Sequence, residues 1–152
     1  MADNTITIVG NITREPELKF LPGGQATVRV GVAVNRRWQN RQTQEWEERT
    51  SYFDVIAYGS LAENLANSCP KGTRVLVTGR LEQRSWDDRE TGQKRTAVEI
   101  NADDVAPSLR YATASVTKNP ARGDGGNFGS RPAPAPRSTN EPTTYGYDEE
   151  PF

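Results

Sequence analysis

The sequence predicts an all-β domain, a small closed barrel of five strands with one short helix, followed by a tail that cannot fold. Three observations carry this. Short stretches of period-2 alternation fill the chain up to about residue 112, the clearest being 26–35, with Val28, Val30, Val32 and Val34 on one face. A single segment, opening at Ser60, has helix-start signals and helical spacing. From about Ala114 onward the periodicity stops and Gly, Pro, Ser, Asn and Arg take over.

The first strand is Thr5-Ile6-Thr7-Ile8-Val9-Gly10, β-branched and ending at a glycine that marks a bulge or bend. The second, 26–35, sets its valines against Thr27, Arg29, Gly31, Ala33 and Asn35. The third runs from about Ser51 to Tyr58, where Phe53, Val55 and Ala57 alternate with Tyr52, Asp54, Ile56 and Tyr58, an unusually aromatic face. Ser60-Leu61-Ala62-Glu63 then reads as a capping box, with Ser60 as N-cap; Leu61 and Leu65 share a face, and Pro70 and Gly72 end the helix. The fourth strand covers about Arg74 to Trp86, with Val75, Val77, Gly79 and Leu81 opposite Arg80, Arg84 and Trp86. A polar loop from Asp87 to Gln93 leads to a return strand, Arg95 to Ile100, completing a long hairpin. The segment Pro107-Ser108-Leu109-Arg110-Tyr111 adds an extra C-terminal strand outside the main set.

Three strands, one short helix and two more strands close most economically into the oligonucleotide-binding (OB) fold, a five-stranded Greek-key barrel. The expected organisation is a barrel domain over 1–113, a disordered Gly/Pro-rich linker over 114–147 and an acidic tip over 148–152. Treated as a flexible coil, the linker spans on the order of 35 Å.

Composition narrows the chemistry. The 152 residues leave room for one domain and an appendage. With no histidine and a single cysteine, Cys69, neither imidazole-dependent catalysis nor the usual zinc sites can be built from this chain, and no nucleophile elbow or phosphate loop is present. The expectation is a non-enzyme without cofactor or metal. Asp87-Asp88 and Asp103-Asp104 read as turn carboxylates and not as metal ligands. No apolar run approaches the roughly 20 residues that span a bilayer, and Met1-Ala2-Asp3-Asn4 lacks the features of a secretion signal, so a cytoplasmic protein without membrane contact is expected. Lys and Arg balance Asp and Glu through residue 115, so a nucleic-acid site must be a local stripe.

Such a stripe is visible. Arg36-Arg37-Trp38, with Arg41, begins the loop after the second strand; Tyr52 and Tyr58 share one face of the third; Arg80, Arg84 and Trp86 share one face of the fourth. Parity sets the last two groups opposite the Val and Ala positions of the core. Aromatic faces on which unpaired bases stack, beside guanidinium groups that follow phosphates, are what binding of a single strand requires. Trp46, among Glu45, Glu47 and Glu48, reads as packing or loop stabilisation; Phe53, in the apolar phase, reads as core or subunit interface.

At these residues the chain resembles the bacterial single-stranded DNA-binding proteins. The resemblance rests on Ile8-Val9-Gly10-Asn11-Ile12, Glu15-Pro16-Glu17-Leu18, Tyr58-Gly59-Ser60-Leu61-Ala62-Glu63-Asn64, Lys71-Gly72-Thr73-Arg74-Val75 and Gly79-Arg80-Leu81. The segment 107–114 looks like the actinobacterial branch, whose extra C-terminal strand clamps subunits together. The resemblance implies a homotetramer of OB domains that binds and protects single-stranded DNA with little sequence preference, associated with the nucleoid. Its stacking aromatics fall on Trp38, Tyr52, Tyr58 and Trp86, beside Arg36, Arg37, Arg80 and Arg84. It further implies that the terminal Asp148-Glu149-Glu150-Pro151-Phe152, three acids and an aromatic on a flexible arm, recruits replication, recombination and repair enzymes.

Overall fold

A computed structural model describes residues 2–121. Six strands and one helix follow in order: β1 (Ile6–Ile12), β2 (Glu17–Phe20), β3 (Ala26–Gln39), β4 (Trp46–Tyr58), α1 (Gly59–Ser68), β5 (Arg74–Asp87) and β6 (Lys94–Pro107). The sheet order is β1-β5-β6-β4-β3-β2, and an additional β1–β3 pairing closes five of the strands into a barrel, with β2 on the outer flank of β3. All pairings are antiparallel except β4 with β6. The all-β fold class with a single short helix is therefore the one observed.

The core is the alternation made solid. Ile8, Ile12, Val28, Val30, Val32, Val55, Val75, Val77 and Ile100 are buried in the barrel, and α1 adds Ala62 and Leu65. Each fully buried Val or Ile contributes about 1.5–3 kcal/mol over leaving it in water. Phe53 packs against this cluster, half-buried, and Cys69 is buried at the end of α1, where burial pushes its thiol pKa up.

Several boundaries differ from the sequence expectation. The first strand runs past Gly10 to Ile12, because this glycine is neither bulge nor bend: β1 stays paired with β5 through Asn11↔Arg74 while it also joins β3 through Asn11↔Ala33 and Ile12↔Val32. A Cβ on Gly10 would run into the Ala33 carbonyl and the Val32 side chain, so its missing side chain is what lets the barrel close. The bulge lies elsewhere, between Thr78 and Gly79 of β5, which pair with Asp104 and Ala102 and leave Asp103 as the extra residue on β6.

The helix starts earlier than expected. The N-cap is Tyr58, in extended conformation with no side-chain cap hydrogen bond, because β4 passes directly into α1 through Gly59, whose φ of 64° suits glycine. The extra strand is also placed differently. A sixth strand is present, but it is β2, near the N-terminus; residues 109–111 form a turn, and beyond β6 the ladder adds one bond, from the Ser108 N–H to the Arg74 carbonyl at 2.8 Å. Tyr111 then lies under the Arg74 guanidinium at 5.6 Å. Residues 2–116 fall within one compact unit; 117–121 carry no regular structure, and the rest of the expected linker and the acidic tip lie outside the described residues.

Candidate nucleic-acid interface

Register makes β5, β6, β4 and β3 one continuous sheet with one outward face. Ile56↔Asn101 joins β4 to β6, Arg84↔Ala97 joins β6 to β5, and Ala33↔Tyr52 joins β4 to β3, all in the phase opposite the core valines. On this face stand Tyr52 and Tyr58 from β4, Arg80, Arg84 and Trp86 from β5, and Arg29 and Arg37 from β3. Tyr52 lies opposite the small Ala33 and is 74% exposed, its ring bare to solvent. Trp86, partly exposed, carries the Arg84 guanidinium 5.0 Å above its ring. The phase expected for Tyr52, Tyr58, Arg80, Arg84 and Trp86 is the one found.

A carboxylate lies at the centre of the face. Glu99 projects outward from β6 yet is only 7% exposed, because Arg29 and Arg84 cover it: Oε1 accepts from Arg29 Nη1 at 2.6 Å and from Arg84 Nη2 at 3.3 Å. Two guanidinium groups share one carboxylate, which holds both arginines in place; Glu82, directly opposite Glu99, lines the same cleft, so its two arginines face two glutamates. Arg80 is paired with Asp103 at 3.9 Å, using the residue the bulge pushes out. A cleft of about 320 Å³ runs between Arg29, Tyr58, Arg84 and Glu99, and a larger one of about 600 Å³ continues from Arg29 and Tyr58 towards Arg14 and Lys19. Arg29, Arg14, Lys19 and Glu99 were missed from the sequence. Arg29 was legible from its phase in the second strand; Glu99 carried no signal, since a lone Glu in a strand reads as solvated surface.

The β3–β4 hairpin corrects a second expectation. Arg36, Arg37 and Trp38 are not loop residues: β3 continues to Gln39, β4 begins at Trp46, and the turn is only Asn40–Glu45. Strand alternation therefore divides them. Arg37 takes the outward face with Tyr52 and Tyr58, whereas Arg36 and Trp38 keep the phase of the core valines, beyond the end of the barrel. Each face of the ribbon carries an arginine over a tryptophan, Arg36 on Trp38 at 5.8 Å and Arg37 on Trp46 at 4.8 Å.

The acids resolve into structural roles. In the β5–β6 turn the Glu90 N–H donates to Asp88 and Arg95 pairs with it at 2.7 Å; these hold the Asp88 carboxyl below its ordinary pKa, the Glu90 bond being the larger cause. Asp103 and Asp104 lie in β6, not in a turn, the first bound to Arg80 and the second accepting from the Val105 N–H. Among the described residues, no group of three or more carboxylate, thiol or imidazole side chains could hold a metal, and no helix is long and apolar enough to cross a membrane.

Comparison with known proteins agrees with this geometry. The profile of the single-strand binding protein family matches residues 3–108. The single-stranded DNA-binding protein of Mycobacterium tuberculosis is 49% identical over 138 residues, covering 90% of this chain and 83% of that protein. Among solved structures, the small single-stranded DNA-binding protein of Streptomyces coelicolor matches with a TM-score of 0.59 and 34% identity, over 72% of this chain and 97% of that one. A Plasmodium falciparum SSB solved in complex with ssDNA matches with a TM-score of 0.63 and 27% identity, over 70% and 93%.

Proposed function

Since this chain belongs to the single-strand binding protein family, we propose that it binds and protects single-stranded DNA, without strong sequence preference, along the outward face of β5, β6, β4 and β3. The observation that carries this is the phase of that face. Tyr52, Tyr58 and Trp86 offer flat rings, Arg84 and Arg29 are fixed beside them on Glu99, and Arg37 extends the positive charge along the hairpin. Stacking accepts any base, since every base has a π-face, and guanidinium groups follow the phosphates. Trp38 and Arg36 contribute from the other face of the ribbon, to a strand that winds around it. The protein acts without catalysis, as binding alone sequesters the strand.

The same reading makes the protein a homotetramer in the cytoplasm, at the nucleoid. It gives Asp148, Glu149, Glu150, Pro151 and Phe152 the recruitment of replication, recombination and repair enzymes. The acidic, Phe-ended sequence and the family membership support these roles.

Titration with an oligothymidylate tests the central claim. Tryptophan emission should be quenched on binding, and alanine at Trp38 and Trp86 together should cost about 1–3 kcal/mol for each stacked base lost. Duplex DNA bound as tightly as the single strand would refute it. RNA winning in competition would make the protein an RNA chaperone instead.

A further inference from the structure

We infer that Trp46 and Arg37 form an additional stacking station for an unpaired base, carrying the nucleic-acid path out along the β3–β4 hairpin; this rests on the proposed binding of single-stranded DNA. Trp46 is 61% exposed and occupies the outward phase of β4 with Tyr52 and Tyr58. The three rings recur at equal spacing, about 20 Å apart at roughly 3.4 Å per residue. That gap matches about six stacked nucleotides at roughly 3.4 Å each, so one strand can visit all three.

Of the acids beside Trp46 in sequence, one is turned away and one faces an arginine. Glu47 has the opposite phase, and its carboxylate accepts from Asn40 Nδ2 at 2.6 Å. Glu48 shares the outward phase of Trp46 and lies directly opposite Arg37 in register. Arg37 is the distinctive group. Arg29, Arg80 and Arg84 are each ion-paired to a carboxylate, whereas Arg37 has no ion-pair partner among the described residues and lies 4.8 Å above the Trp46 ring. A guanidinium in no ion pair and stacked on an exposed indole offers one charge for a phosphate and one face for a base.

The test uses the full chain and an oligothymidylate of about 30 nucleotides, a length within reach of several stations. In a Trp38→Phe, Trp86→Phe variant Trp46 is the sole tryptophan, and its emission is read at saturation, with saturation established independently by anisotropy of a labelled oligonucleotide. Quenching of that emission is expected, together with affinity about five-fold or more weaker in Trp46→Ala and largely restored in Trp46→Phe. Unquenched emission, or Trp46→Ala binding within about two-fold of the parent, would overturn the station while leaving the proposed function standing. A parent chain that fails to bind the oligonucleotide overturns both.

Discussion

Replacing Glu99 by glutamine probes the centre of the proposed binding face. The carboxylate is buried and receives two charge-assisted hydrogen bonds, from Arg29 at 2.6 Å and Arg84 at 3.3 Å. Bonds of this kind contribute about 1.5–3 kcal/mol when both partners are withdrawn from water. Here the arginine side chains are 40% and 58% exposed, so solvent screens them and each unpaired guanidinium can hydrate. The large penalty of a stranded buried charge, about 3–5 kcal/mol, therefore does not arise. Glutamine can keep a carbonyl oxygen where Oε1 accepts from both arginines, but it loses the charge and puts an NH2 in the place of Oε2 beside two cations. The net loss is about 1–2 kcal/mol, which for a domain of this size lowers Tm by roughly 5 °C. Thermal unfolding followed by circular dichroism at fixed protein concentration measures it, and the gap should narrow in high salt. Binding should move the other way. With the carboxylate neutralised, the face gains one positive charge, so affinity at low salt rises and the salt slope steepens by about 0.7 per extra phosphate neutralised. A variant that melts with the wild type at low salt, or binds with an unchanged slope, would refute the reasoning.

Two further outcomes follow from the turns and the buried thiol. Both hairpins close with the same loop: the Asn40 and Asp88 N–H groups donate to the Glu45 and Gln93 carbonyls, while the Gln44 and Gly92 N–H groups donate back to Asn40 and Asp88. Gln44, at φ 61°, stands where the other loop has Gly92 at 67°. Relief of left-handed strain, about 1 kcal/mol, outweighs the added flexibility of the unfolded chain, so Gln44→Gly should stabilise by roughly 0.5 kcal/mol in urea unfolding, and a destabilised variant would count against the strain. For Cys69, burial raises the folded pKa, so the folded thiol keeps a proton that the unfolded chain gives up above its ordinary value of 9.0. The contribution is complete below that pH and is lost as pH rises towards the folded pKa. Cys69→Ala should therefore show a shallower alkaline decline in urea midpoint than wild type, and parallel declines would contradict the assignment.

How much of the fold was legible depended on where a face is buried. Val28, Val30, Val32, Val55, Val75 and Val77 announced their strands because one side of each faces the barrel interior. The outer halves of β3 and β4 were not announced, since past Val34 and before Phe53 neither side of the ribbon meets a core and the period-2 apolar signal disappears. Backbone pairing carries the ribbon there, from Asn35↔Thr50 to Gln39↔Trp46. β2 escaped for a related reason: of its four mostly exposed residues, Glu17 to Phe20, only Leu18 packs against the core, and the rest are held by pairing with β3. The Asp103 bulge has no sequence mark of its own, although Gly79 beside it does, because a Cβ there would collide with the Asn101 carbonyl.

The site divides along the same line. Tyr52, Tyr58, Arg80, Arg84 and Trp86 sit on strands whose other face is core, so their phase could be counted from the valines and was correctly assigned. Arg36, Arg37 and Trp38 were placed in a loop, where phase has no meaning; once β3 is seen to continue, alternation forces Arg37 away from its two neighbours. Trp46 was discounted because three glutamates adjoin it in sequence, yet adjacency in a strand is not adjacency in space. Glu47 turns to the far face and Arg37 crosses from the partner strand to cover the indole, so its electrostatic surroundings are set by the ladder and not by its neighbours in the chain. Glu99 is the converse case. Its chain neighbours are unremarkable, and its role arises wholly from Arg29 and Arg84 on two other strands. Charge placed by register, more than charge counted along the chain, therefore decides which faces of this barrel are basic.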